Sequence, residues 1–141
     1  MIPIFISYSV HDRAVAATVH DALIQRGYRR VFVDFHPEDG IPAGSDWERT
    51  LYRALSRARA VIVLCSPASM TSKWVFAEIT QAKALGKPIL PVKIDDCNLD
   101  GILQREQVID ARVGWEEVYQ RLWRGLANAG LAPGELIDWP A

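Results

Sequence analysis

The chain has 141 residues, of which 50% are hydrophobic and 23% are charged, a composition typical of one globular domain with a hydrophobic core. Its formal net charge of -1 argues against nucleic acid or an anionic membrane as a partner. The sequence predicts a cytoplasmic protein without disulfides or a metal. Its two cysteines lack metal-ligand spacing, and it has neither a signal-peptide pattern nor an apolar run of the roughly 18–20 residues that span a membrane.

Short apolar runs rich in β-branched residues alternate with helical patterns along the chain. The runs predict strands at residues 4–8, 31–34, 60–65, 88–92 and 107–109. The helical patterns lie at residues 12–26, 47–57, 72–85 and 115–129, with a less regular turn near 99–105. Gly27 and Gly86 follow two of these helices, where left-handed C-caps are expected.

This alternation predicts a flavodoxin-like α/β fold, a three-layer sandwich with helices on both faces of a five-stranded parallel sheet. The apolar runs are continuous, as in strands that are buried on both faces. Five strands favour the order 2-1-3-4-5, and the Rossmann order is the weaker option. We expect residues 1–129 to form the domain and residues 130–141 to be a C-terminal tail or linker of the kind that leads to another domain.

Polar residues follow the first three predicted strands. In such a sheet, ligands bind beyond the carboxyl ends of the strands, at the point where the strand order reverses. The first strand leads into Ser7–Asp12, the second ends at Asp34 and the third ends at Ser66. Ser7–Asp12 contains the residue types of a hydrolase triad, but the G-x-S-x-G elbow is missing, so we set that interpretation aside.

The third long helix carries a tryptophan and a glutamate one turn apart. Its predicted core stripe consists of Val75, Phe76, Ile79 and Ala82. Trp74 and Glu78 share the neighbouring face, so we expect Glu78 to be partly desolvated at the edge of the core, with a raised pKa. The alternative is that Trp74 only caps the core and Glu78 is a solvated charge near the helix start.

Several of these segments together resemble the TIR domain (Toll/interleukin-1 receptor/resistance), in particular its bacterial branch. They are "IFISYSVHD", "VFVD" with the following "GIPAGSDW", "LYRALSRARAVIVLCSPASMTSKWVFAEI" and "KPILPVKID". The resemblance covers about residues 2–129, with the segments in the right order and spacing. The Phe-Trp signature of animal receptors on the last helix is only approximated, by Tyr119 and Trp123.

The resemblance implies an enzyme that cleaves the nicotinamide–ribose bond of NAD+, as a glycohydrolase or a cyclase. The Trp-x-x-x-Glu motif of such TIR domains falls on Trp74 and Glu78, with Glu78 as the catalytic residue. NAD+ is then the substrate, and neither a cofactor nor a metal is implied.

Further substrate-binding residues are carried over from the family. Tyr8 and Ser9, at the end of the first strand, are implied to line the nucleotide pocket together with Trp74. Asp34 and Trp47 are implied to border it, although Asp34 also suits a loop cap and Trp47 a staple between the loop and the second helix.

The family also implies partners. Residues 37–46 resemble the loop that TIR domains use in head-to-tail self-association, which activates many of them, although Gly40 and Gly44 also suit ordinary turns. A fused sensor domain and a role as an effector of bacterial antiphage defence are further implications. Arg49, Arg53 and Arg57 form a cationic ridge on the second helix that suits either a subunit contact or a solvated face.

Two other functions stay open. One is a non-catalytic TIR module that binds other proteins through its loop and second helix. The other, more remote, is a nucleoside deoxyribosyltransferase, against which the TIR-like loop argues. The short basic segment Gly27–Arg30 is too small to indicate nucleic-acid binding in a near-neutral chain.

Overall fold

The computed structural model describes residues 4–33, 47–99, 103 and 107–133. Its strands are β1 (Ile4–Ser7), β2 (Val31–Val33), β3 (Ala60–Cys65), β4 (Ile89–Lys93) and β5 (Ile109–Asp110). Its α-helices are α1 (Arg13–Arg26), α2 (Trp47–Arg57), α3 (Pro67–Met70), α4 (Lys73–Ala84) and α5 (Trp115–Asn128). Short 3-10 turns at Val10–Asp12 and Ala111–Val113 precede α1 and α5.

The five strands form one parallel sheet in the order β2-β1-β3-β4-β5, which confirms the predicted fold class and strand order. β1 and β3 are buried along their whole length, as their unbroken apolar runs predict. β2 lies at the edge and is only partly buried. Gly27 and Gly86 both have positive φ, 115° and 69°, so they allow the chain to turn away after α1 and near the end of α4.

Side chains on the two faces of the sheet belong to two separate hydrophobic clusters. Ile4, Ile6 and Tyr8 pack with the buried residues of α1 and α5. Phe5 packs with the buried residues of α2 and α4. Because successive strand residues point to opposite faces, Ser7 lies on the same face as Phe5, beneath α2 and α4.

The predicted core stripe of α4 is wrong at one residue. Val75, Ile79 and Ala82 are buried as predicted, but Phe76 is 58% exposed and Glu78 is fully buried. At 100° per residue, Phe76 lies about 100° from Val75, on the side that turns to solvent, whereas Glu78 lies about 60° from it on the other side. The carboxylate therefore stands in the buried stripe, and the alternative of a solvated Glu78 is wrong for the described structure.

Two further features lie near the predicted boundaries. A four-residue helix, α3, takes the place of the short loop expected after β3. Leu131 is buried in the cluster of α1 and α5, and the Tyr28 hydroxyl donates a hydrogen bond to its carbonyl at 3.2 Å. The tail after residue 133 lies outside the described residues, so the domain boundary stays a prediction. No helix in the described part of the chain combines the length and the apolar composition of a membrane span.

Candidate active site

The strand order reverses between β1 and β3, and the carboxyl ends of these strands are therefore where a ligand crevice is expected. Ser7 is the last residue of β1 and pairs in register with Val63 of β3. Its hydroxyl lies below α4, because Ser7 follows Phe5 by two residues and shares its face. Sequence periodicity alone thus directs one polar side chain into an apolar layer.

Ser7 and Glu78 form the central contact of this region. The Ser7 hydroxyl donates a hydrogen bond of 2.6 Å to Oε1 of Glu78, and both residues have 0% exposure. A hydroxyl that donates to a carboxylate makes one of the shorter and stronger protein hydrogen bonds. The contact joins residues that are 71 positions apart in the chain and links β1 directly to α4.

Local capping places α4 above the end of β1. The hydroxyl of Ser72 accepts from the backbone N–H of Val75 at 3.2 Å, which starts the helix just before Lys73. Trp74 then falls in the first turn and is half-buried, one turn before Glu78. The predicted juxtaposition of Trp74 and Glu78 along the helix is present, with Glu78 as the deeper of the two.

A second hydrogen bond spans the strand-order reversal. The Ser66 hydroxyl, just after β3, donates to Oδ2 of Asp12, just before α1. Ser66 also caps α3, since its hydroxyl accepts from the N–H of Ser69 while the Ser69 hydroxyl accepts from the N–H of Ser66. The loops after β1 and β3 are therefore tied together at the end of the sheet where the crevice is expected.

The other predicted site residues lie in different environments. The Ser9 side chain is buried, and its hydroxyl accepts from the N–H of His11 at 3.2 Å, which caps the 3-10 turn. Tyr8 is buried in the cluster of α1 and α5, on the face opposite Glu78. Asp34 and the side chain of Trp47 lie outside the described residues. Roles for these four residues in binding a substrate stay predictions.

Ser7 is absent from the residues that the resemblance assigns to the site, yet it makes the direct contact with Glu78. Its two-residue spacing from Phe5 was the available signal, because it places Ser7 on the α4 face once the strand is assigned. The sequence could not show that Glu78 would meet it, since this depends on how α4 is rotated above the sheet.

The region around the sheet end shields ionisable groups from water. Burial, with a smaller contribution from neighbouring Cys97, raises the pKa of the Cys65 thiol from 9.0 to about 12 at the last residue of β3. Among the described residues, no group of three or more His, Cys, Asp or Glu side chains is placed to hold a metal ion. The chemically distinctive feature is instead one carboxylate held inside the apolar layer.

Comparison with known proteins identifies the family and agrees with the fold. A family model described as the TIR domain matches residues 4–123 of the chain. The TIR domain of the Toll-related receptor TRR-2 from Hydra magnipapillata aligns with a TM-score of 0.70 and 20% identity, over 89% of this chain and 98% of that one. No curated protein sequence matches the chain.

A second similar structure contains the TIR domains of the activated Roq1 resistosome that directly recognises the pathogen effector XopQ. It aligns with a TM-score of 0.64 and 16% identity, over 86% of this chain and 98% of that one. At these identities both likenesses concern the fold.

Proposed function

The chain belongs to the TIR domain family, and from this premise we propose that it is an NAD+ nucleosidase in which Glu78 is the essential carboxylate. We further propose that it belongs to the bacterial NAD+-cleaving branch and acts in antiphage defence by consuming NAD+. A glycohydrolase would release linear ADP-ribose, and a cyclase would release a cyclic isomer.

One observation carries the proposal: a fully buried carboxylate at the carboxyl end of β1, where the strand order reverses. Taking a charge out of water costs several kcal/mol, and well-packed apolar residues in place of buried ion pairs often leave stability unchanged or raise it by ~1–4 kcal/mol. A leucine at position 78 would avoid this desolvation cost. Packing alone therefore gives no reason for a glutamate at this position.

The chemistry of NAD+ cleavage suits a carboxylate at this position. The C–N bond between ribose and nicotinamide breaks, and its electron pair neutralises the pyridinium nitrogen as nicotinamide leaves. The ribosyl carbon acquires oxocarbenium character, which a carboxylate stabilises, and the same carboxylate can hold the ribose hydroxyls. Water then adds to the carbon and loses a proton, or an adenine nitrogen adds in the cyclase case.

Trp74 supplies a second element of the proposed site. Its half-buried indole lies one turn from Glu78, so a ring bound there would be near the carboxylate. Nicotinamide is a flat cation while it is attached to ribose, and an indole face attracts such a cation by roughly 0.5–2 kcal/mol. Tyr8, Ser9, Asp34 and Trp47 complete the proposed set of substrate-binding residues.

The burial of Glu78 also bears on activation. A carboxylate with 0% exposure cannot touch a ribose hydroxyl, so substrate binding requires a rearrangement that uncovers it. We propose that head-to-tail self-association supplies this rearrangement, through α2 or the segment at residues 37–46. The activity of a dilute single chain is then expected to be low.

The second candidate function is a non-catalytic module that binds other TIR domains. Two observations favour it: Glu78, with 0% exposure, is out of reach of a substrate in this structure, and the surface of α2 is exposed, with Tyr52 50% exposed. In this case Glu78 and Ser7 serve only to fix α4 on the sheet.

One experiment separates the two candidates. Nicotinamide release from NAD+ is followed by chromatography over a series of protein concentrations, with association measured in parallel by light scattering. We compare wild type with Glu78→Gln, which keeps an acceptor for Ser7, and with Glu116→Gln, which changes an exposed glutamate of α5. We expect release to rise steeply with association and to be lost only in Glu78→Gln. Release that persists in Glu78→Gln contradicts the catalytic role, and an associated protein without release identifies the binding module.

A further inference from the structure

A concavity lies at the other end of the sheet from Ser7 and Glu78. It is lined by Arg29, Arg30 and Phe32 at the start of β2 and by Arg53 and Arg57 of α2, and we call it the arginine pocket. Val31 pairs with Ile4, the first residue of β1, whereas Ser7 is the last residue of that strand. The region of Ser7, Trp74 and Glu78 is called the Glu78 crevice here, after the ligand crevice that is expected at that end of the sheet. The arginine pocket and the Glu78 crevice are therefore at opposite ends of the strands.

The fold brings together two basic segments that are separate in the sequence. Arg53 and Arg57 lie one helical turn apart near the end of α2, so they project from the same side of the helix. Arg29 and Arg30 directly precede β2, after the buried Tyr28. Arg49 belongs to the same helical ridge but does not line the pocket.

The charges of the arginine pocket are not balanced by acidic side chains of the described residues. None of its four guanidinium groups has an ion-pair partner in the part of the chain that the structure describes. Four like charges around one concavity repel each other, and no packing benefit requires four arginines there. An anion that enters the concavity would remove this repulsion.

The arginine pocket also offers an aromatic surface. Phe32 is 38% exposed although it is a large apolar side chain. The Phe5 ring stacks with the Phe32 ring, with centroids 5.2 Å apart and an interplanar angle of 22°, which holds Phe32 in place. An aromatic ring fixed among cations suits a ligand with a flat ring and a cluster of negative charge.

We propose that the arginine pocket is a second ligand site, separate from the crevice, for a nucleotide that carries at least two phosphates. One guanidinium group can donate two parallel hydrogen bonds to phosphate oxygens, and nucleotide bases stack on exposed aromatic rings. The concavity is open to solvent, and its volume of about 390 Å³ is within the range of small-molecule sites. A diphosphate concentrates its charges within a few ångströms, which matches four arginines around one concavity better than the spaced carboxylates of an acidic peptide.

Binding is tested by calorimetry on the whole chain with ADP, inorganic pyrophosphate, adenosine and a tetraglutamate peptide. We expect ADP to bind more tightly than pyrophosphate, and adenosine and the peptide to bind at least tenfold more weakly than ADP. An ADP affinity no better than that of the peptide overturns the proposal in favour of an acidic protein segment.

Matched variants locate the bound nucleotide. Arg53→Gln/Arg57→Gln is expected to weaken ADP and pyrophosphate binding at least tenfold. Arg49→Gln/Arg59→Gln, which removes the same charge from exposed arginines outside the pocket, is expected to leave both affinities within about twofold. ADP binding that survives the first pair and is lost in Trp74→Leu places the nucleotide in the crevice and overturns the proposal.

Phe32→Leu tests the contribution of the aromatic ring separately from that of the arginines. It keeps an apolar side chain against Phe5, so the fold is expected to persist, as circular dichroism will check. We expect it to remove the advantage of ADP over pyrophosphate while pyrophosphate affinity stays unchanged; an unchanged ADP advantage contradicts the stacking. None of these measurements follows nicotinamide release. If the arginine pocket binds no nucleotide, the NAD+ cleavage proposal therefore still stands, and if NAD+ is not cleaved, the proposal for the arginine pocket still stands.

Discussion

The Glu78 crevice and the arginine pocket hold charged side chains in opposite environments, one buried and one exposed. In the crevice a single carboxylate is fully buried and receives a short hydrogen bond from Ser7. In the arginine pocket four cations line a concavity and, within the described residues, have no acidic partners. Water solvates the four arginines, whereas only protein groups surround the Glu78 carboxylate.

This difference predicts how each region depends on its neighbours. A buried charge loses its hydration, so its stability and orientation depend on the few protein groups that contact it. Exposed charges contribute little to the free energy of unfolding, and because like charges repel each other, a bound anion lowers their electrostatic energy. Substitutions in the crevice should therefore change folding and activity together, and substitutions in the arginine pocket should change binding alone.

The largest expected effect tests whether the sheet beside the crevice is sealed from water. The pKa of Cys65 is raised to about 12, so its thiol stays protonated and unreactive at neutral pH, whereas Cys97 is only half-buried with a smaller rise. Reaction with Ellman's reagent at pH 8 is expected to be at least ~100-fold slower for Cys65, measured in Cys97→Ala, than for Cys97, measured in Cys65→Ala.

The sign of the pH dependence follows from the same pKa. Because the folded value of about 12 lies above the ordinary 9.0, the free energy of unfolding is expected to fall as the pH rises from 9 towards 12. In Cys65→Ala the free energy of unfolding should fall less over this pH range. Equal labelling rates of the two thiols would show that water reaches this end of β3.

The next effect concerns the partner of Glu78. Ser7→Ala removes the donor and leaves Oε1 of Glu78 without that hydrogen bond, which is expected to cost about 1–3 kcal/mol in the free energy of unfolding by urea. Ser56→Ala is the control near the arginine pocket, because its exposed hydroxyl donates to the Arg53 carbonyl at 2.9 Å and should cost less than about 0.5 kcal/mol.

A double substitution sharpens this result. Ser7→Ala/Glu78→Leu replaces the polar pair by apolar groups and is expected to be more stable than Ser7→Ala, since no buried carboxylate is left behind. A double variant that is less stable than Ser7→Ala would mean that Glu78 contributes to packing as well.

The third effect concerns Trp74 in the proposed reaction. Trp74→Leu keeps an apolar side chain but removes the face that would stack on nicotinamide, so kcat/KM for NAD+ is expected to fall about 2–30-fold. Trp115→Leu, at a partly exposed tryptophan of α5, should leave kcat/KM unchanged. Equal losses in both variants would argue for a general effect on folding rather than substrate contact.

The smallest effect is expected in the arginine pocket without a ligand. Arg53→Gln/Arg57→Gln should change the free energy of unfolding by no more than about 0.5 kcal/mol, with a small gain at low salt as repulsion is relieved. Thermal unfolding at two salt concentrations measures this. A loss above about 1 kcal/mol would show that these arginines stabilise the fold and would remove the contrast with the crevice.

Much of the fold was predictable because its signals are local. Continuous apolar runs indicate strands buried on both faces, and the predicted and observed bounds of β3 and α2 coincide at residues 60–65 and 47–57. Five alternating units favour the strand order 2-1-3-4-5 over the Rossmann order, and the favoured order is confirmed. Less could be predicted for β5, since a strand of two residues at the sheet edge has hardly any pattern of its own.

Part of the crevice was predictable as well. The four-residue spacing of Trp74 and Glu78 places them one turn apart in any helix, and strand periodicity places Ser7 on the face of Phe5. The rotation of α4 about its axis was not predictable, because it depends on how the whole helix packs on the sheet. That rotation exposes Phe76 and buries Glu78.

Local patterns were enough to predict the alternating strands and helices and the one-turn spacing of Trp74 and Glu78, because each depends on residues that are close in the chain. Packing brought Glu78 against Ser7 and brought Arg29 and Arg30 to one concavity with Arg53 and Arg57. These contacts join segments more than 20 residues apart, so they exist only after the helices have packed against the sheet.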